Sequence, residues 1–338
     1  MNFIKKWINT DAGKIPVVNT SLDWTDNFGT IKARLTFGRM NYKVEPGIYA
    51  VGNPNSDSFV FVSANYKMSF DVLRSNLSGI DAWILVLDTD GINVWCAAGK
   101  GTFGTKEIVN RIKITGLEKI VNNRRLIVPQ LGAPGVSFYD VKKFSSFSVT
   151  YGPVRASDIP EFIKSGMKAT EDMRKVRFTL YDRVVLIPAE IVLGKTYLIY
   201  AAFVMFVLSG LNKNGYSVSL IFDKGVLSIL NVLIAFFAGA AISPLLLPWL
   251  PGRSFSLKGF FTGIIGFIIS YYCGLTGNNA LKIFAWFLLF SSAVSFLTMN
   301  FTGASTYTSL SGVKKEMKYA VPMQIAGAIS GLLIWAIK

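Results

Sequence analysis

The sequence predicts an α/β domain followed by an all-α membrane domain of five transmembrane helices. The 338 residues are 51% hydrophobic, with a mean hydropathy of +0.42, which is too apolar for an ordinary soluble enzyme. Charge is concentrated in residues 1–183, which hold 25 Lys+Arg and 17 Asp+Glu, whereas residues 184–338 hold 10 and 3. Long uncharged runs recur only in the second part. This division predicts one soluble domain and one membrane domain.

Strand and helix patterns alternate through the first part of the chain. Residues 30–51 alternate apolar and polar side chains around Glu45-Pro46-Gly47, which predicts a β-hairpin or meander. Residues 83–87 (WILVL) are an unbroken apolar run, typical of a buried strand, and end at Asp88. The remaining predicted elements are an apolar run at 59–63, helices at 70–77 and 106–120, and a strand at 125–129. Their order predicts an α/β sheet whose loops at the strand ends bind a ligand.

The second part contains five uncharged runs of membrane-spanning length. A span needs about 20 residues, with about 17 as the lower limit. Gly and other small residues recur within 259–266 and 326–331, as close contacts between membrane helices require. The five predicted spans lie within residues 196–212, 225–252, 259–281, 283–313 and 319–337.

Basic residues define the predicted orientation and the domain boundaries. Arg174, Arg183 and Lys195 precede the first span, and Lys314 and Lys318 precede the fifth. The positive-inside rule then places the soluble domain in the cytoplasm and the chain in the cell membrane as a multi-pass protein. The predicted units are a soluble domain at 1–165, a basic juxtamembrane linker at 166–194 and a five-span domain at 195–338.

Composition excludes several classes of function. The chain has no histidine, so histidine-ligated zinc and a histidine general base are excluded. Cys96 and Cys273, the only cysteines, lie one in each part and provide no disulfide framework. The net charge of +15 is accounted for by membrane topology, and no nucleic-acid-binding pattern accompanies it. Residues 99–104 contain G-x-G-x-x-G, but too far beyond the preceding strand for a dinucleotide site.

The most informative stretch is residues 91–100, Gly-Ile-Asn-Val-Trp-Cys-Ala-Ala-Gly-Lys. Asn93 is a favourable N-cap, and residues 94–98 can form about one helical turn that carries Cys96. Small neighbours would let a flat, bulky ligand approach the sulfur, while Lys100 and the helix N-terminus would favour a thiolate. A buried structural cysteine is the alternative. The spacing leaves both interpretations open.

The motif Asn-Val-Trp-Cys-Ala-Ala-Gly-Lys resembles the cap-helix signature of the HgcA family, the corrinoid proteins of bacterial and archaeal mercury methylation. Residues 63–71 (SANYKMSFD), 83–104, 129–136 (PQLGAPGV) and 151–158 (YGPVRASD) are similar to the corrinoid domain shared with the large subunit of the corrinoid iron–sulfur protein of the acetyl-CoA pathway. That relative has Thr where Cys96 stands and carries an iron–sulfur domain, whereas this chain has no Cys-x-x-Cys.

The resemblance implies a Rossmann-like corrinoid-binding domain. It also implies that Cys96 is the axial cobalt ligand and hence the catalytic and metal-binding residue. Asn93 would order the cap helix. Two further loops are implied around the corrinoid. The cofactor-binding residues implied with Cys96 are Asn93, Val94, Trp95, Ala97, Ala98, Gly99, Lys100, Gly132, Ala133, Gly135 and Gly152.

The function implied by the resemblance is a corrinoid-dependent methyltransferase that carries a methyl group on cobalt and transfers it to Hg(II), giving methylmercury. Its implied partners are a two-cluster [4Fe-4S] ferredoxin-like electron donor and a methyltetrahydrofolate-dependent methyl supply. One alternative is a corrinoid methyl carrier for another acceptor in one-carbon metabolism related to the acetyl-CoA pathway. A second is a non-catalytic membrane receptor that binds a corrinoid or another planar ligand.

Overall fold

A computed structural model describes residues 3–212, 215–304 and 310–337 and divides the chain into two compact units, Met1–Val176 and Arg177–Lys338. The division falls inside the predicted linker at 166–194. Within the fourth predicted span, residues 305–309 lie outside the described residues, as does Lys338.

The first unit is a seven-stranded mixed sheet with helices on both faces. Its strands are β1 (Ile4–Thr10), β2 (Gly13–Val18), β3 (Gly47–Val51), β4 (Phe59–Ala64), β5 (Ala82–Leu87), β6 (Arg125–Val128) and β7 (Ser148–Tyr151). The strand order is β1-β2-β3-β5-β4-β6-β7. Strands β5, β4, β6 and β7 are mutually parallel, β3 is antiparallel to β5, and β1–β2 is an antiparallel hairpin. The α/β architecture predicted for this part of the chain is confirmed.

From residue 3 to residue 176, the structure has seven helices, together with short 3-10 turns. They are α1 (Trp24–Arg34), α2 (Lys67–Asn76), α3 (Val94–Lys100), α4 (Thr105–Thr115), α5 (Phe138–Ser145), α6 (Ile159–Lys164) and α7 (Glu171–Arg174). Helices α4 and α5 pack on one face of the sheet, and α2 and α6 on the other. Because β5 is covered on both faces, all six of its residues are buried, which explains its unbroken apolar run.

The hairpin predicted over residues 30–51 is wrong for most of its length. Helix α1 covers the first part of that range, and only Gly47–Val51 forms a strand. A capping box starts α1: Asp23 accepts the Asp26 backbone N–H, and Asp26 accepts that of Asp23. Asp26 then turns inward to the cations of α2. Only residues 30–34 of the predicted range lie in α1, and Arg39–Asn41 form a 3-10 turn, so most of the alternating residues belong to no strand.

The second unit is helical. Its long helices are α9 (Ile187–Leu208), α10 (Val218–Phe237), α12 (Phe255–Tyr272), α13 (Ala280–Asn300) and α14 (Leu310–Ala336), with short helices α8 (Leu180–Val184) and α11 (Ser243–Leu246) and a two-residue strand pair, β8 (Leu211–Asn212) and β9 (Gly215–Tyr216). Among the described residues, five helical segments are long and apolar enough to cross a membrane: Leu180–Leu208, Val218–Leu246, Phe255–Tyr272, Ala280–Gly303 and Ser311–Ala336. The predicted number of helices with membrane-spanning length and hydropathy is confirmed.

Glycines bring three of these helices into close contact. A Cβ at Gly263 of α12 would lie 2.9 Å from the Phe290 carbonyl oxygen of α13. A Cβ at Gly331 of α14 would lie 3.1 Å from the Ala285 carbonyl oxygen, which also belongs to α13. Helix α13 is thus packed against two neighbours through their small residues, as the sequence predicted.

Candidate cofactor site

The predicted site residues lie at the edge of the sheet where the parallel strands end. The chain runs from β4 to β5 on one side and then crosses to β6 on the other side of β4. This reversal creates a crevice beyond the carboxyl ends of β4 and β6, the usual ligand site of an open α/β sheet. Helix α3 follows β5, and the 3-10 turn Gln130–Gly135 follows β6. Helix α3 packs directly against that turn.

Helix α3 forms where the sequence predicted a capped turn. The Asn93 side chain accepts the Cys96 backbone N–H at 2.9 Å, which satisfies a donor that the first turn leaves unpaired. Gly101 ends the helix in the left-handed conformation, with φ of +86°. The local sequence therefore fixes both ends of the helix that carries the thiol.

The two sides of α3 differ in burial. Ala97 and Ala98 are 0% and 6% exposed and belong to the core beneath the sheet edge. Cys96 is half-buried, and Gly99 and Lys100 are exposed. Because residues three and four apart share a helix face, Cys96, Gly99 and Lys100 form one outward surface. Contact of the two alanines with a ligand remains a prediction, since packing already accounts for their size.

Trp95 and Val94 flank this surface differently. Trp95 is 38% exposed, whereas Val94 is half-buried and packs against the core. No heavy atom outside the immediate chain lies within 4 Å of the position that a Cβ at Gly99 would take. The space beside Cys96 is therefore open on the Gly99 side.

The loop glycines serve close packing. A Cβ at Gly132 would lie 2.4 Å from the Phe103 ring, and one at Gly135 would lie 2.2 Å from the Phe103 carbonyl oxygen and 3.2 Å from the Ala98 Cα. Ala133 between them is half-buried. Gly152 follows β7 at the same edge, but its neighbours are Ile127 and Phe162. The structure thus brings the 132–135 loop to α3, while Gly152 lies beside other residues.

Replacing Gly135 by Ala should therefore displace α3. The new methyl group would overlap backbone atoms of Phe103 and Ala98, which cannot move away as a flexible side chain would. We expect the unfolding free energy of the first unit to fall by about 1–3 kcal/mol, as overpacked sites do. Hydrogen exchange of α3 amides measures the effect. The matched control is Gly99→Ala, which meets open space and should leave protection unchanged or raised.

Sequence reasoning missed the residue that anchors the loop leading into α3. Asn65 follows β4 and is 1% exposed. Its Oδ1 accepts the Thr89 N–H at 3.1 Å, the Thr89 hydroxyl at 2.8 Å and the Gly91 N–H at 3.0 Å. Its Nδ2 donates to Asp88 at 3.2 Å. Asn65 thereby fixes the loop in which Asp90 and Gly91 adopt positive φ. Only its position at a strand end could have indicated it.

Two further contacts hold this edge. Glu107 of α4 accepts the Asp88 backbone N–H at 2.9 Å, and its carboxylate also pairs with Arg111 at 2.7 Å. Tyr151 donates its hydroxyl to the Val136 carbonyl at 2.6 Å, and burial raises the pKa of that phenol. The α3 loop and the 130–135 turn are therefore both tied to neighbouring elements.

Cys96 places a thiol, a soft donor group, at this edge. Among residues 3–212, 215–304 and 310–337, no group of three or more Cys, Asp or Glu side chains is arranged to hold a metal ion. The other cysteine, Cys273, is exposed in the second unit. A metal held at α3 would therefore need most of its ligands from a cofactor.

Comparison with known proteins finds sequence similarity within the first unit. Residues 30–163 match the family of the CO dehydrogenase/acetyl-CoA synthase delta subunit. The acetyl-CoA decarbonylase/synthase complex gamma subunit of Methanopyrus kandleri is 32% identical over 133 residues, 38% of this chain and 28% of the relative. The corresponding Archaeoglobus fulgidus subunit is 35% identical over 97 residues, 28% of this chain and 21% of the relative.

The chain thus spans less than a third of the length of these curated relatives. The matched residues include the parallel strands, α3 and the 130–135 turn, and they end before the second unit. These likenesses support the predicted relationship to proteins of the acetyl-CoA decarbonylase/synthase complex. They do not single out the mercury-methylation family, and nothing in these names concerns mercury.

Proposed function

We propose that this protein is a membrane-anchored, corrinoid-dependent methyltransferase in which Cys96 binds the cobalt and Hg(II) is the methyl acceptor. The observation that carries the proposal is the half-buried thiol on the outward side of α3, at the carboxyl edge of the parallel strands. The motif around Cys96 and the family match over residues 30–163 support the corrinoid class.

The residues of α3 fit a flat macrocycle. A planar ligand coordinated by sulfur needs an unobstructed surface beside it, and the Gly99 side of Cys96 is open within 4 Å. Ala97 and Ala98 direct no bulky group outward because they are buried. A bound corrinoid would supply the cobalt on which a methyl group is carried. The chain would supply the Cys96 thiolate that holds it, with Trp95 and Lys100 at its flanks.

The protein's own contribution is to hold the sulfur in place. Asn93 binds the Cys96 backbone N–H, and Asn65 fixes the loop that precedes α3. Such supporting hydrogen bonds orient a metal ligand and reduce the reorganisation needed for binding. The arrangement therefore presents Cys96 as a preorganised ligand on a rigid edge of the sheet.

The thiol also suits Hg(II) as the acceptor. Hg(II) is an electrophile, so the methyl group must be transferred to it as a carbanion or radical equivalent. A thiolate from Cys96 would donate electron density strongly to a bound cobalt, and the identity of the protein ligand is a main means by which a protein tunes cofactor electronics. Repeated turnover then requires outside reductant and methyl groups. We assign these to a two-cluster [4Fe-4S] ferredoxin-like protein and a methyltetrahydrofolate-dependent supply.

The five long helices would anchor the protein as a multi-pass protein of the cell membrane. The basic residues near Arg183, Arg253 and Lys314 favour a cytoplasmic position for the first unit. A tag at the N-terminus should then be protected in sealed right-side-out cells. One after Lys338 should be accessible, and finding both tags on one side would contradict five crossings.

A second candidate is a methyl carrier in one-carbon metabolism, and the relatives' names favour it. The two acceptors can be compared on the same methylated full-length protein under anaerobic conditions. One reaction receives Hg(II), and the other receives acetyl-CoA synthase, CO and coenzyme A. Methylmercury as the dominant product supports our proposal, whereas acetyl-CoA as the dominant product supports the second candidate. A corrinoid-loaded protein that transfers to neither acceptor would favour a receptor.

Gly99→Leu should separate cofactor binding from folding. Gly99 is exposed and a Cβ there meets no neighbour within 4 Å, and Leu also has a higher helix propensity than Gly. In the proposed complex it would occupy the space of the macrocycle. We expect corrinoid content to fall by at least about 10-fold, comparable to the loss of a supporting contact at a metal site. Gly99→Ala should give a smaller loss, and full corrinoid content in Gly99→Leu would contradict the assigned surface.

A further inference from the structure

Helix α1 exposes large apolar side chains and buries a charged one, the opposite of what is usual for a surface helix. Its inward side carries Asp26, which is 7% exposed, whereas Trp24, Phe28 and Ile31 are 72%, 45% and 54% exposed. These three residues recur at positions i, i+4 and i+7 and so form one stripe, which we call the α1 face. Trp24 and Phe28 stack with ring centroids 4.9 Å apart and an interplanar angle of 10°. An outward apolar stripe of this kind marks a binding surface.

The α1 face borders an open groove of about 610 Å³, lined by Trp24, Phe28, Lys32, Phe37 and Tyr42 among others. Lys32 lies over the Phe28 ring, with its Nζ 5.7 Å from the centroid. Arg39 and Lys43, both exposed, follow in the next segment of the chain. The groove therefore combines apolar and aromatic side chains with Lys32, and two further exposed cations lie close to it in sequence.

The two acids at this helix differ in exposure. Asp23, the N-cap, is exposed and accepts from the Thr25 hydroxyl at 2.6 Å and from the Asp26 N–H at 2.8 Å. Asp26 is buried in ion pairs with Lys67 and Arg74, both at 2.6 Å. The groove beside the stripe is lined by aromatic side chains and Lys32 and by no carboxylate. This is the composition of helices that lie in the interface of an anionic bilayer.

We propose that the α1 face docks on an anionic membrane surface, with Trp24 and Phe28 in the headgroup region and the cations against lipid phosphates. The inference rests on the proposed membrane anchoring, which keeps this domain permanently within reach of a bilayer. A tether of that kind makes even a weak surface interaction effective, because the local concentration of partner is high. Trp and Phe prefer this interfacial depth, and neighbouring Lys and Arg add electrostatic attraction.

The α4–α5 groove is the closest competing surface in the same unit. It has a volume of about 550 Å³ and is lined by Lys106, Lys113 and the exposed Phe144. However, Asp140 also lines it and would oppose anionic headgroups. The residues that line the α1 groove include the stacked Trp and Phe pair and Lys32, but no carboxylate. The comparison favours α1 and makes the α4–α5 groove a control surface.

The test uses the full chain in nanodiscs containing phosphatidylglycerol and lipids brominated near the headgroup. The emission of each tryptophan is obtained as the difference between the parent protein and its Trp→Phe variant. We expect bromolipid to remove at least about half of the Trp24 contribution, because interfacial helices insert to bromine depth. Trp7, 58% exposed on β1, is the matched control and should be quenched by at most half as much.

Charge and topology controls make the outcome specific. Lys32→Glu with Arg39→Glu, or replacement of phosphatidylglycerol by phosphatidylcholine, should at least halve the quenching of Trp24. Lys106→Glu with Lys113→Glu should not. Quenching of Trp249, which is 69% exposed in the second unit, reports insertion of the helices, so its loss would implicate the anchoring instead. If Trp249 is quenched while Trp24 stays unquenched and accessible to iodide, membrane docking is refuted and the α1 face is left to a protein partner.

Discussion

Cys96→Ala should abolish methyl transfer to Hg(II), while Cys273→Ala should leave it close to the parent level. In the proposed site Cys96 is the protein's cobalt ligand, and changes to groups that merely support a metal ligand already cost about 10- to 100-fold. Loss of the ligand itself should exceed about 100-fold. Cys273 is exposed at the end of α12 in the other unit and is far from α3 in sequence. It therefore controls for the general effect of removing a thiol.

The assay is methylmercury formed per protein by nanodiscs holding the full chain, under anaerobic conditions, with methyl donor and reductant. Corrinoid content and the hydrogen exchange of α3 are measured on the same samples. A low rate with normal folding and retained corrinoid would assign Cys96 to the transfer itself. Parent-level methylation by the Cys96→Ala protein would refute its role as cobalt ligand.

Asp26→Ala should have the largest effect on stability. Asp26 of α1 pairs with Lys67 and Arg74 of α2, and both cations also pair with Asp71. Arg74 is fully buried and Lys67 nearly so. Removing Asp26 leaves two buried cations on one carboxylate, a change that typically costs about 3–5 kcal/mol. Hydrogen exchange of β4 and β5 amides in the full chain reports the unfolding free energy of this unit.

An exposed ion pair provides the matched control. Glu171 and Lys175 approach to 3.5 Å on α7, and the Glu171 side chain is 92% exposed. Glu171→Ala should therefore change the unfolding free energy by less than about 1 kcal/mol. An Asp26→Ala effect no larger than this control would contradict the inferred importance of the buried cluster.

The same cluster predicts a loss of stability in acid. Burial acts to raise the pKa of Asp26, but hydrogen bonds from Lys67 and Arg74 outweigh it and hold the pKa below the ordinary value of 3.8. A carboxyl whose pKa is lower when folded stabilises the fold above its unfolded pKa. That contribution falls as the pH drops below about 3.8 toward the folded value. Asp26→Ala should flatten this part of the pH profile.

Elements with strong local signals could be predicted from the sequence. Strand β5 was predicted because burial on both faces requires an unbroken apolar run, and α3 because Asn93 is a strong N-cap. The five membrane segments follow from length and hydropathy. Their ends were less accurate: the first segment begins at Leu180, well before the uncharged run, because Glu190 and Lys195 lie within the helix.

Features that depend on distant partners could not be predicted. The hairpin over residues 30–51 was predicted from local alternation, whereas α1 is held in place by ion pairs of Asp26 with Lys67 and Arg74, 41 and 48 residues away. Asn65 was missed because its partners, Thr89 and Gly91, are 24 and 26 residues away. Residue type alone likewise left Cys96 between a structural and a ligand role. The fold shows that Cys96 lies on the outward side of α3, whereas the corrinoid is inferred from sequence resemblance.

Cobalt K-edge X-ray absorption tests the central claim most directly. Full-length protein is loaded with a cobamide under anaerobic conditions, alongside Cys96→Ser and Cys273→Ser variants. We predict a sulfur neighbour of cobalt in the parent protein and in Cys273→Ser, and its absence in Cys96→Ser. A cobalt coordination shell of nitrogen and oxygen alone in the parent protein would contradict the assignment of Cys96 as the axial ligand.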